Sequence, residues 1–461
     1  MERLRTAWEK WDQATTRNCL AYCEEYRSFI SENKTERRCV RAAAARAEGR
    51  GFREISSFTR LAPGDRFYRM NKHKSIILGV AGSQPLASGG RFIIAHVDTP
   101  RIDLKAHPVH ERHGIAFLKT AYYGGLRKYQ WLARPLALYA TVCLPDGTVR
   151  EFAVGDTPGD PVFTITDLLP HLAKDHENKT IAEGFPGEHL TILAGTIPAP
   201  GSGKQRVRAQ LLSLLKDAFS LSPDDFVSAE IQAVPAGDAH DAGFDRSLIA
   251  GYGQDDRVCA YTALTALLET EHPSRTCLCL LVDQEEIGSQ GATAAASRFF
   301  EYLMQELLEK TGGSLSDFPA AMVNSQAISA DVTAGFDPGY PEVHDPLNAA
   351  RVGHGVCLER TTGARGKRGS IEPTAEYLAF LRGVFDRAGV PWQAGEIGKP
   401  EQGGGGTVAF TLARHLIDTA DCGPPVLSMH APCELVSKAD IYSAHLAYAA
   451  FFRESRLPRT K

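Results

Sequence analysis

Five side chains of the kinds that bind metal ions lie far apart in this sequence, and each of them follows an apolar run. Two are imidazoles and three are carboxylates, found in the segments HVD, QDDR, DQEEIGS, SADV and SMH: His96, Asp255, Glu286, Asp331 and His430. This mixture suits two zinc-like cations if one carboxylate bridges them and one coordination position stays open for water. The sequence therefore predicts a dinuclear metal centre, and an open two-metal site indicates hydrolysis.

Buried strands and amphipathic helices alternate along most of the chain. Arg91–Ala95 is predicted to be a short strand that delivers HVD at its end. The other predicted elements are helices over residues 1–32, 257–271, 292–310, 374–389, 407–416 and 437–454 and strands over residues 276–282 and 321–328. Such alternation predicts an α/β fold in which a mixed sheet is flanked by helices.

Residues 105–243 differ in pattern from the rest of the chain. They contain several β-rich segments, and Asp146-Gly147 is a strong hairpin signal. Because 461 residues exceed the size at which one hydrophobic core usually keeps growing, two domains are expected. We predict a discontinuous domain of residues 1–104 and 244–461 that carries the metal centre, and an inserted β-rich domain of residues 105–243.

Composition excludes several classes of partner. A net charge of -4, from 51 Lys and Arg against 55 Asp and Glu, lacks the positive footprint of a nucleic-acid binder. The charged start of the sequence does not resemble a signal peptide, and no later stretch is apolar enough to span a membrane. We therefore expect a cytoplasmic protein with neither nucleic acid nor membrane as a partner. Disulfides are not expected among the ten irregularly placed cysteines, and several in apolar runs, such as Cys277 and Cys279 in TCLCLLV, are expected to pack as small apolar side chains.

The HVD and DQEEIGS segments each contain a second functional candidate. Asp98 lies two residues after His96, so its carboxylate is able to orient the imidazole, although HVD alone is more typical of a solvated loop. Glu285 and Glu286 follow an apolar run, and adjacent side chains diverge, so that one binds metal while the other acts as general base. Asp256, next to Asp255, is interpreted as an ordinary helix cap.

Four glycines precede Thr407 and a predicted helix. Backbone N–H groups of Gly403–Gly406 would be available to an anion or an oxyanion, with a tight turn before the helix as the equally supported alternative. The segment lacks the Lys-Ser/Thr ending of a phosphate-binding loop, which disfavours a nucleotide role. Gly405 and Thr407 are therefore candidates for substrate contacts.

Seven segments, in this order, resemble the aspartyl aminopeptidase and vacuolar aminopeptidase I family of metallopeptidases, and its bacterial branch in particular. They are HVDTPRIDLK, TAYYGGLRKYQW, GYGQDDRVCAYTAL, DQEEIGSQGA, SADVTAGFDPGYPE, EQGGGGTVA and SMHAPCE. The resemblance implies that His96 and His430 each bind one metal, Asp255 bridges, Glu286 and Asp331 complete the shell, Glu285 is the base and Asp98 orients His96. It also implies a zinc-peptidase-like catalytic domain interrupted by a dimerisation domain, with dimers assembling into a tetrahedral dodecamer that admits short peptides.

The sequence departs from this family at one position. Many members carry a histidine after the YGG motif that reaches into a neighbouring subunit's active site, whereas Tyr129 stands here. The resemblance also implies a cation for acidic N-terminal residues, which Lys367 would supply, with Arg368 and Lys399 as rivals. A solvated basic loop is at least as well supported as recognition by Lys367.

The leading hypothesis is a dinuclear metal aminopeptidase that removes the N-terminal residue from short peptides, and a preference for Asp or Glu at that position is one form of this hypothesis. Zinc is the expected metal, and these ligands also tolerate cobalt or manganese. Two alternatives stay open: a metal-dependent deacylase or carboxypeptidase, and a non-catalytic self-assembling shell that keeps its metal site for stability.

Overall fold

The computed structural model describes residues 5–458 and contains the following elements. The strands are β1 (Arg53–Glu54), β2 (Arg66–Asn71), β3 (Ser75–Val80), β4 (Arg91–His96), β5 (Arg101–Arg112), β6 (Ile115–Tyr123), β7 (Leu136–Cys143), β8 (Val149–Val154), β9 (Ile192–Gly195), β10 (Ala229–Pro235), β11 (His240–Ala242), β12 (Leu248–Gly251), β13 (Cys277–Val282), β14 (Gln326–Ser329), β15 (Thr333–Ala334), β16 (Val356–Glu359), β17 (Trp392–Gly395), β18 (Asp418–Gly423), β19 (Pro425–Leu427) and β20 (Glu434–Ser437). The helices are α1 (Ala7–Lys10), α2 (Gln13–Glu32), α3 (Glu36–Glu48), α4 (Lys174–Glu177), α5 (Ile181–Gly184), α6 (Arg206–Phe219), α7 (Gln254–Leu268), α8 (Phe299–Lys310), α9 (Phe318–Val323), α10 (Ala364–Lys367), α11 (Ala375–Arg387), α12 (Phe410–Ala413) and α13 (Lys438–Arg453).

The chain forms two compact units. The first comprises the residues up to Asp98, Ala239–Met429 and the residues from Glu434 on, and the second comprises Thr99–Asp238 and His430–Cys433. These borders lie a few residues before the expected ones at 104 and 243, and the short segment that contains His430 groups with the second unit. That this second unit serves dimerisation stays a prediction.

A nine-stranded mixed sheet forms the centre of the first unit, in the order β1-β2-β3-β13-β4-β14-β18-β16-β17. Its four middle strands, β13, β4, β14 and β18, run parallel to one another. Their residues are almost entirely buried, as expected for strands covered on both faces. Because parallel strands share a direction, their carboxyl ends lie along one edge of the sheet.

Two apolar cores cover the two faces of this sheet. Ile93 and Ala95 of β4 pack with residues of α2, α3, α7, α11 and α13, whereas Phe92 and Ile94 pack with residues of α8, α9 and α12. This alternation follows from the two-residue period of a strand. The predicted α/β fold, a mixed sheet flanked by helices, is confirmed.

A smaller five-stranded sheet, in the order β11-β12-β20-β19-β15, completes the first unit. None of the helices in the described part of the chain combines the length and the apolar composition that a bilayer crossing requires. All ten cysteines are free thiols, and Cys277 and Cys279 lie fully buried in the apolar core, as the sequence predicts.

The second unit contains a six-stranded antiparallel sheet in the order β8-β7-β10-β5-β6-β9. The predicted hairpin at Asp146-Gly147 is confirmed, because β7 and β8 pair across it. Gly147 has a φ of 88°, a conformation that glycine adopts without steric cost. The long helix of this unit, α6, places Phe219 in a stacked contact with Phe152 of β8, with ring centroids 4.0 Å apart.

Four predicted elements differ from the observed ones. The helix predicted over residues 1–32 is two helices, α1 and α2, because the Asp12 side chain accepts a hydrogen bond from the Thr15 N–H and starts a new helix there; residues 1–4 of that prediction lie outside the described residues. The helix predicted over 292–310 begins only at Phe299, since Thr293 donates to Asp283.

The start of the strand predicted over 321–328 is wrong. Its residues 321–323 belong to helix α9, which has Pro319 in its first turn. The helix predicted over 407–416 shrinks to the four residues of α12.

Candidate metal centre

His96 is the last residue of β4 and is 1 % exposed. Its ring Nδ1 lies 3.0 Å from the main-chain carbonyl oxygen of Asp98 and 3.4 Å from Oδ1 of the same residue. Both contacts favour a proton on Nδ1 and leave the Nε2 lone pair for a metal. The predicted orientation of His96 by Asp98 therefore has a geometric basis, to which the main-chain carbonyl contributes as well as the carboxylate.

The carboxylate of Asp98 also joins the HVD and DQEEIGS segments. Its Oδ1 accepts from the Glu285 N–H at 3.1 Å, and its Oδ2 accepts from the Glu286 N–H at 3.2 Å. These two residues form a single helical turn after β13, which the chain enters through Gln284 at a φ of 65°. One buried side chain thus sets the positions of both an imidazole and a pair of glutamates.

The first turn of α7 brings two adjacent aspartates into the first unit's interior. Asp255 and Asp256 have non-helical backbone angles and are joined by a cis peptide bond. Oε2 of Glu434 accepts from the N–H groups of Gln254, at 2.6 Å, and of Asp255, at 3.3 Å. A side chain far along the sequence thus takes the role that a local cap usually has.

The interpretation of Asp256 as a helix cap is wrong. The residue is 0 % exposed, and its Oδ2 accepts from the main-chain N–H of His96 at 3.3 Å. Arg257, the last residue of the QDDR motif, donates from Nη2 to the Lys34 carbonyl at 2.9 Å and from Nε to the Val97 carbonyl at 3.4 Å. Sequence reasoning gives Asp256 the role of a cap and misses Arg257 and Glu434. The run of charged residues in QDDR is a signal for Arg257, whereas no local pattern marks Glu434.

Two overlapping sets of ligand atoms converge on His96. Its Nε2 lies 3.1 Å from Asp255 Oδ1 and 3.9 Å from Asp331 Oδ1. In the set of His96, Asp256 and Asp331, and again in the set of His96, Asp255 and Glu286, the ligand atoms all lie within 4.8 Å of one another. Donors held about 2.0–2.2 Å from one tetrahedral cation are about 3.4 Å apart, so these separations fit a shared metal ion.

The electrostatics of the cluster also favour cations. Burial raises the pKa of Asp256 well above its usual range, and Asp255 adds to that rise. Burial likewise raises the pKa of Asp331, to which the charges of Asp256 and Glu285 contribute. Burial alone would lower the pKa of His96, but its contacts with Asp255 and Asp98 outweigh burial and raise it well above the ordinary value. Several carboxylates packed around one imidazole are stabilised when divalent cations neutralise them.

His430 belongs to the second unit. Its Nδ1 lies 2.6 Å from the main-chain carbonyl oxygen of Gly125, in the YGG motif, so the proton is expected on Nδ1 and the lone pair on Nε2. A Cβ added at Gly125 would lie 3.5 Å from the same ring nitrogen, which shows how closely the glycine backbone approaches. The assignment of His430 as a metal ligand stays a prediction from the sequence.

The predicted substrate residues have contacts of their own. In the first unit, Lys367 is exposed and forms an ion pair with Glu372, and the rival cations Arg368 and Lys399 are exposed as well. In the second unit, Tyr129 packs against Arg127 and Phe185, at 5.0 and 6.2 Å. Their roles in substrate binding stay predictions.

The glycine segment does not offer all its N–H groups to a ligand. The Gly403 N–H donates to the Lys399 carbonyl and the Gly405 N–H to the Thr362 carbonyl, both at 2.8 Å. Thr407 is buried, and its hydroxyl accepts from the Ala409 N–H at 3.3 Å. Two of the four N–H groups are therefore used within the loop, which favours the tight-turn alternative at Gly403 and Gly405. Contacts of Gly405 and Thr407 with a substrate stay predictions.

Comparison with known proteins decides the family. Residues 29–452 match the family described as Aminopeptidase I zinc metalloprotease (M18). The chain belongs to the M18 family of aminopeptidases. It is therefore a metal-dependent hydrolase that acts as an aminopeptidase, and the resemblance drawn from its motifs is confirmed.

Relatives of known name and structure cover almost the whole chain. The probable M18 family aminopeptidase 1 of Clostridium acetobutylicum is 42% identical over 457 residues, which is 98% of each chain. The crystal structure of an M18 aminopeptidase from Thermotoga maritima has 41% identity and a TM-score of 0.94, and the match covers 98% of this chain and 99% of that one. The fold is also shared, at 21% identity and a TM-score of 0.75, by mApe1 of S. cerevisiae, described as a dodecamer, with 94% of this chain and 96% of that chain covered.

Proposed function

We propose that this M18 aminopeptidase uses two divalent metal ions to hydrolyse the N-terminal residue from short peptides. The observation that carries the proposal is the convergence on His96, at the end of β4, of donors from two other strand ends and one helix start. Asp255 is the proposed bridge, because it is the nearest carboxylate to His96 Nε2 and belongs to the same donor set as Glu286. Family membership favours an aminopeptidase over the deacylase, carboxypeptidase and shell alternatives.

Two cations held here would polarise the scissile carbonyl and lower the pKa of an attacking water. Glu285 is the proposed general base, which takes a proton from that water and passes it to the departing amine. Its charge contributes to the raised pKa of Asp331, so its carboxylate acts on the same region. The contact of Asp98 with the Glu285 N–H would keep this base on a fixed main chain.

Several finer properties belong to the same proposal. Zinc is the proposed metal, with cobalt and manganese as alternatives, and the cytoplasm is the proposed location. A preference for acidic N-terminal residues would use the exposed ammonium group of Lys367, and Tyr129 would replace the family histidine as a hydrogen-bond donor.

Self-association through the second unit is also proposed, as dimers that form a dodecamer. Among the described residues, this unit carries 11 of the 23 exposed large apolar side chains, although it holds fewer than a third of the residues. They include Leu168, Leu169 and Leu172, which lie close in sequence and are 45, 50 and 68% exposed. Apolar side chains exposed in this density are typical of surfaces that bind another protein.

The test replaces the base while leaving the proposed ligands intact. Glu285→Gln should keep the metal content of the wild-type enzyme and lower kcat by at least about 100-fold, because general-base catalysis typically contributes that much or more. Peptides with Asp, Glu, Leu or Lys at the N-terminus, free or acetylated, serve as substrates. The wild type should cleave only the free peptides, and Asp and Glu peptides most rapidly if the acidic preference holds.

A matched control is Glu271→Gln, because the side chain of Glu271 is 77% exposed and its ion partner Arg66 is 3.9 Å away. It should retain wild-type kcat. Full activity of Glu285→Gln with unchanged metal content would refute the assigned base, and cleavage of acetylated peptides would contradict the requirement for a free amino end.

A further inference from the structure

A second group of oxygen ligands crosses the large sheet away from the residues assigned to the metal centre. Ser329 of β14 pairs directly with Asp421 of β18. On the other side of β18, Leu358 of β16 pairs with Cys422, so the antiparallel register places the next residue, Glu359, opposite Asp421. Three polar side chains thus form one row across three adjacent strands.

All three side chains of this row point to the same face of the sheet. Their sequence neighbours Ile328, Ala420 and Leu358 pack into the core that contains α2, α7 and α13. Since successive residues of a strand face opposite sides, the polar row faces the other core, which contains α8, α9 and α12. Directly opposed residues on one face have Cβ atoms about 4.5–5.5 Å apart, within reach of a shared small ion.

The row is buried, and one oxygen atom of each of its side chains has no hydrogen-bond partner. Ser329 is 0% exposed, and Asp421 and Glu359 are each 3% exposed. Ser329 Oγ, Asp421 Oδ1 and Glu359 Oε1 have no hydrogen-bond partner, and neither has Oγ1 of the fully buried Thr333. Among the described residues, no Lys, Arg or His lies within ion-pair distance of either carboxylate.

The electrostatics link these groups and add Thr407. Burial raises the pKa of Glu359 well above its ordinary value, the Thr333 hydroxyl opposes this rise and the Asp421 charge adds to it. Burial raises the pKa of Asp421 to about 6, and the nearby hydroxyls of Ser329 and Thr407 oppose the rise. The hydroxyls are therefore close to the carboxylates without completing hydrogen bonds to the atoms named above.

We propose that Ser329, Asp421 and Glu359, with the hydroxyl groups of Thr333 and Thr407, bind a hard divalent cation such as Ca²⁺, Mg²⁺ or Mn²⁺. Every donor is an oxygen atom, which is the ligand chemistry of these ions and differs from the imidazole-containing zinc cluster around His96. Two carboxylates balance one double positive charge, which a bridging water would not do. The ion would fasten β16 to β18 and β14 beneath the segment that contains Thr407.

The experiment uses the full-length enzyme after its zinc sites have been filled. Ca²⁺ is the first probe because it binds oxygen-only sites and competes poorly for a site that contains imidazole; Mg²⁺ and Mn²⁺ follow in separate titrations. Equilibrium dialysis with elemental analysis should find one additional ion per chain. That ion, at about 100 times its Kd, should raise the midpoint of thermal unfolding by about 3 °C.

The double variant Asp421→Asn/Glu359→Gln should keep its zinc and lose both the additional ion and the thermal shift. Ser329→Ala, which keeps both charges, should bind the ion at least about tenfold more weakly, and it serves as the test if the double variant does not fold. Failure of all three ions to bind beyond the zinc sites, or an additional ion that persists unchanged in these variants, overturns the proposal. Asp255→Asn should lose zinc and keep the additional ion, which separates this outcome from failure of the proposed hydrolytic centre.

Discussion

Asp98 offers a sharp test of how the HVD segment supports the centre, because a single carboxylate accepts from two main-chain N–H groups and contacts an imidazole. In Asp98→Asn, an amide NH₂ group replaces one of the two acceptor oxygens, so either the Glu285 N–H or the Glu286 N–H loses its partner. Hydrogen bonds to charged groups contribute about 1.5–3 kcal/mol each, so the variant should lose about 2 kcal/mol of unfolding free energy.

The same change should weaken metal binding. The carboxylate lies 3.4 Å from Nδ1 of His96, and removal of such a partner typically lowers metal affinity by about 10–100-fold. Because the main-chain carbonyl of Asp98 still contacts Nδ1 at 3.0 Å, we expect the lower end of that range. The variant should therefore bind zinc about tenfold more weakly than the wild type.

Two measurements check these values: urea unfolding of the metal-free protein, and competition for zinc with a chelator of known affinity. Asp103→Asn is the matched control, because Asp103 is partly exposed and its carboxylate is paired with Arg101 in the second unit. The control should change the unfolding free energy by no more than about 1 kcal/mol and leave zinc affinity unchanged. If Asp98→Asn behaves like this control, the carboxylate does not support the centre.

Two further predictions concern stability and assembly. Burial raises the pKa of Asp440 from 3.8 to about 8, although the N–H groups of Gly353 and Gly355 donate to its carboxylate. Between pH 3.8 and about pH 8 the folded state therefore keeps a proton on Asp440 that the unfolded state has released. The unfolding free energy should consequently fall as the pH rises, by up to about 1.4 kcal/mol per pH unit. Urea unfolding at pH 5 and pH 8 should show a smaller fall in Asp440→Asn, and equal falls would contradict the shift. Light scattering should give the native enzyme twelve times the mass of one chain, with smaller species for Leu172→Glu; a wild-type monomer would contradict the proposed assembly.

The sequence predicts the positions of those candidate ligands that lie at the ends of buried strands. His96, Glu286 and Asp331 each follow a buried run, and the parallel order of β4, β13 and β14 brings the ends of those runs to one edge of the sheet. Apolar runs and helical periods are local signals, so the α/β class and the general location of the centre follow from them.

What the sequence could not predict depends on contacts between distant residues. Asp256 has the local pattern of a helix cap, but Glu434 accepts the N–H groups of that turn, which frees both aspartates to point inwards. Gly405 has the local pattern of an anion loop, but the Thr362 carbonyl accepts its N–H. In both cases the partner lies in another segment of the chain, where a local pattern contains no information about it.

The guanidinium group of Arg257 has a consequence for shortened versions of the enzyme. It is 1% exposed and donates both to Lys34, between α2 and α3, and to Val97, between the imidazole and the carboxylate of the HVD segment. A shortened chain that lacks Lys34 would leave the buried guanidinium group of Arg257 without its acceptor at that residue. Arg257 would then be held less firmly beside Val97, in the loop after β4. The segment between α2 and α3 therefore contributes an acceptor to the same guanidinium group that holds the loop after β4.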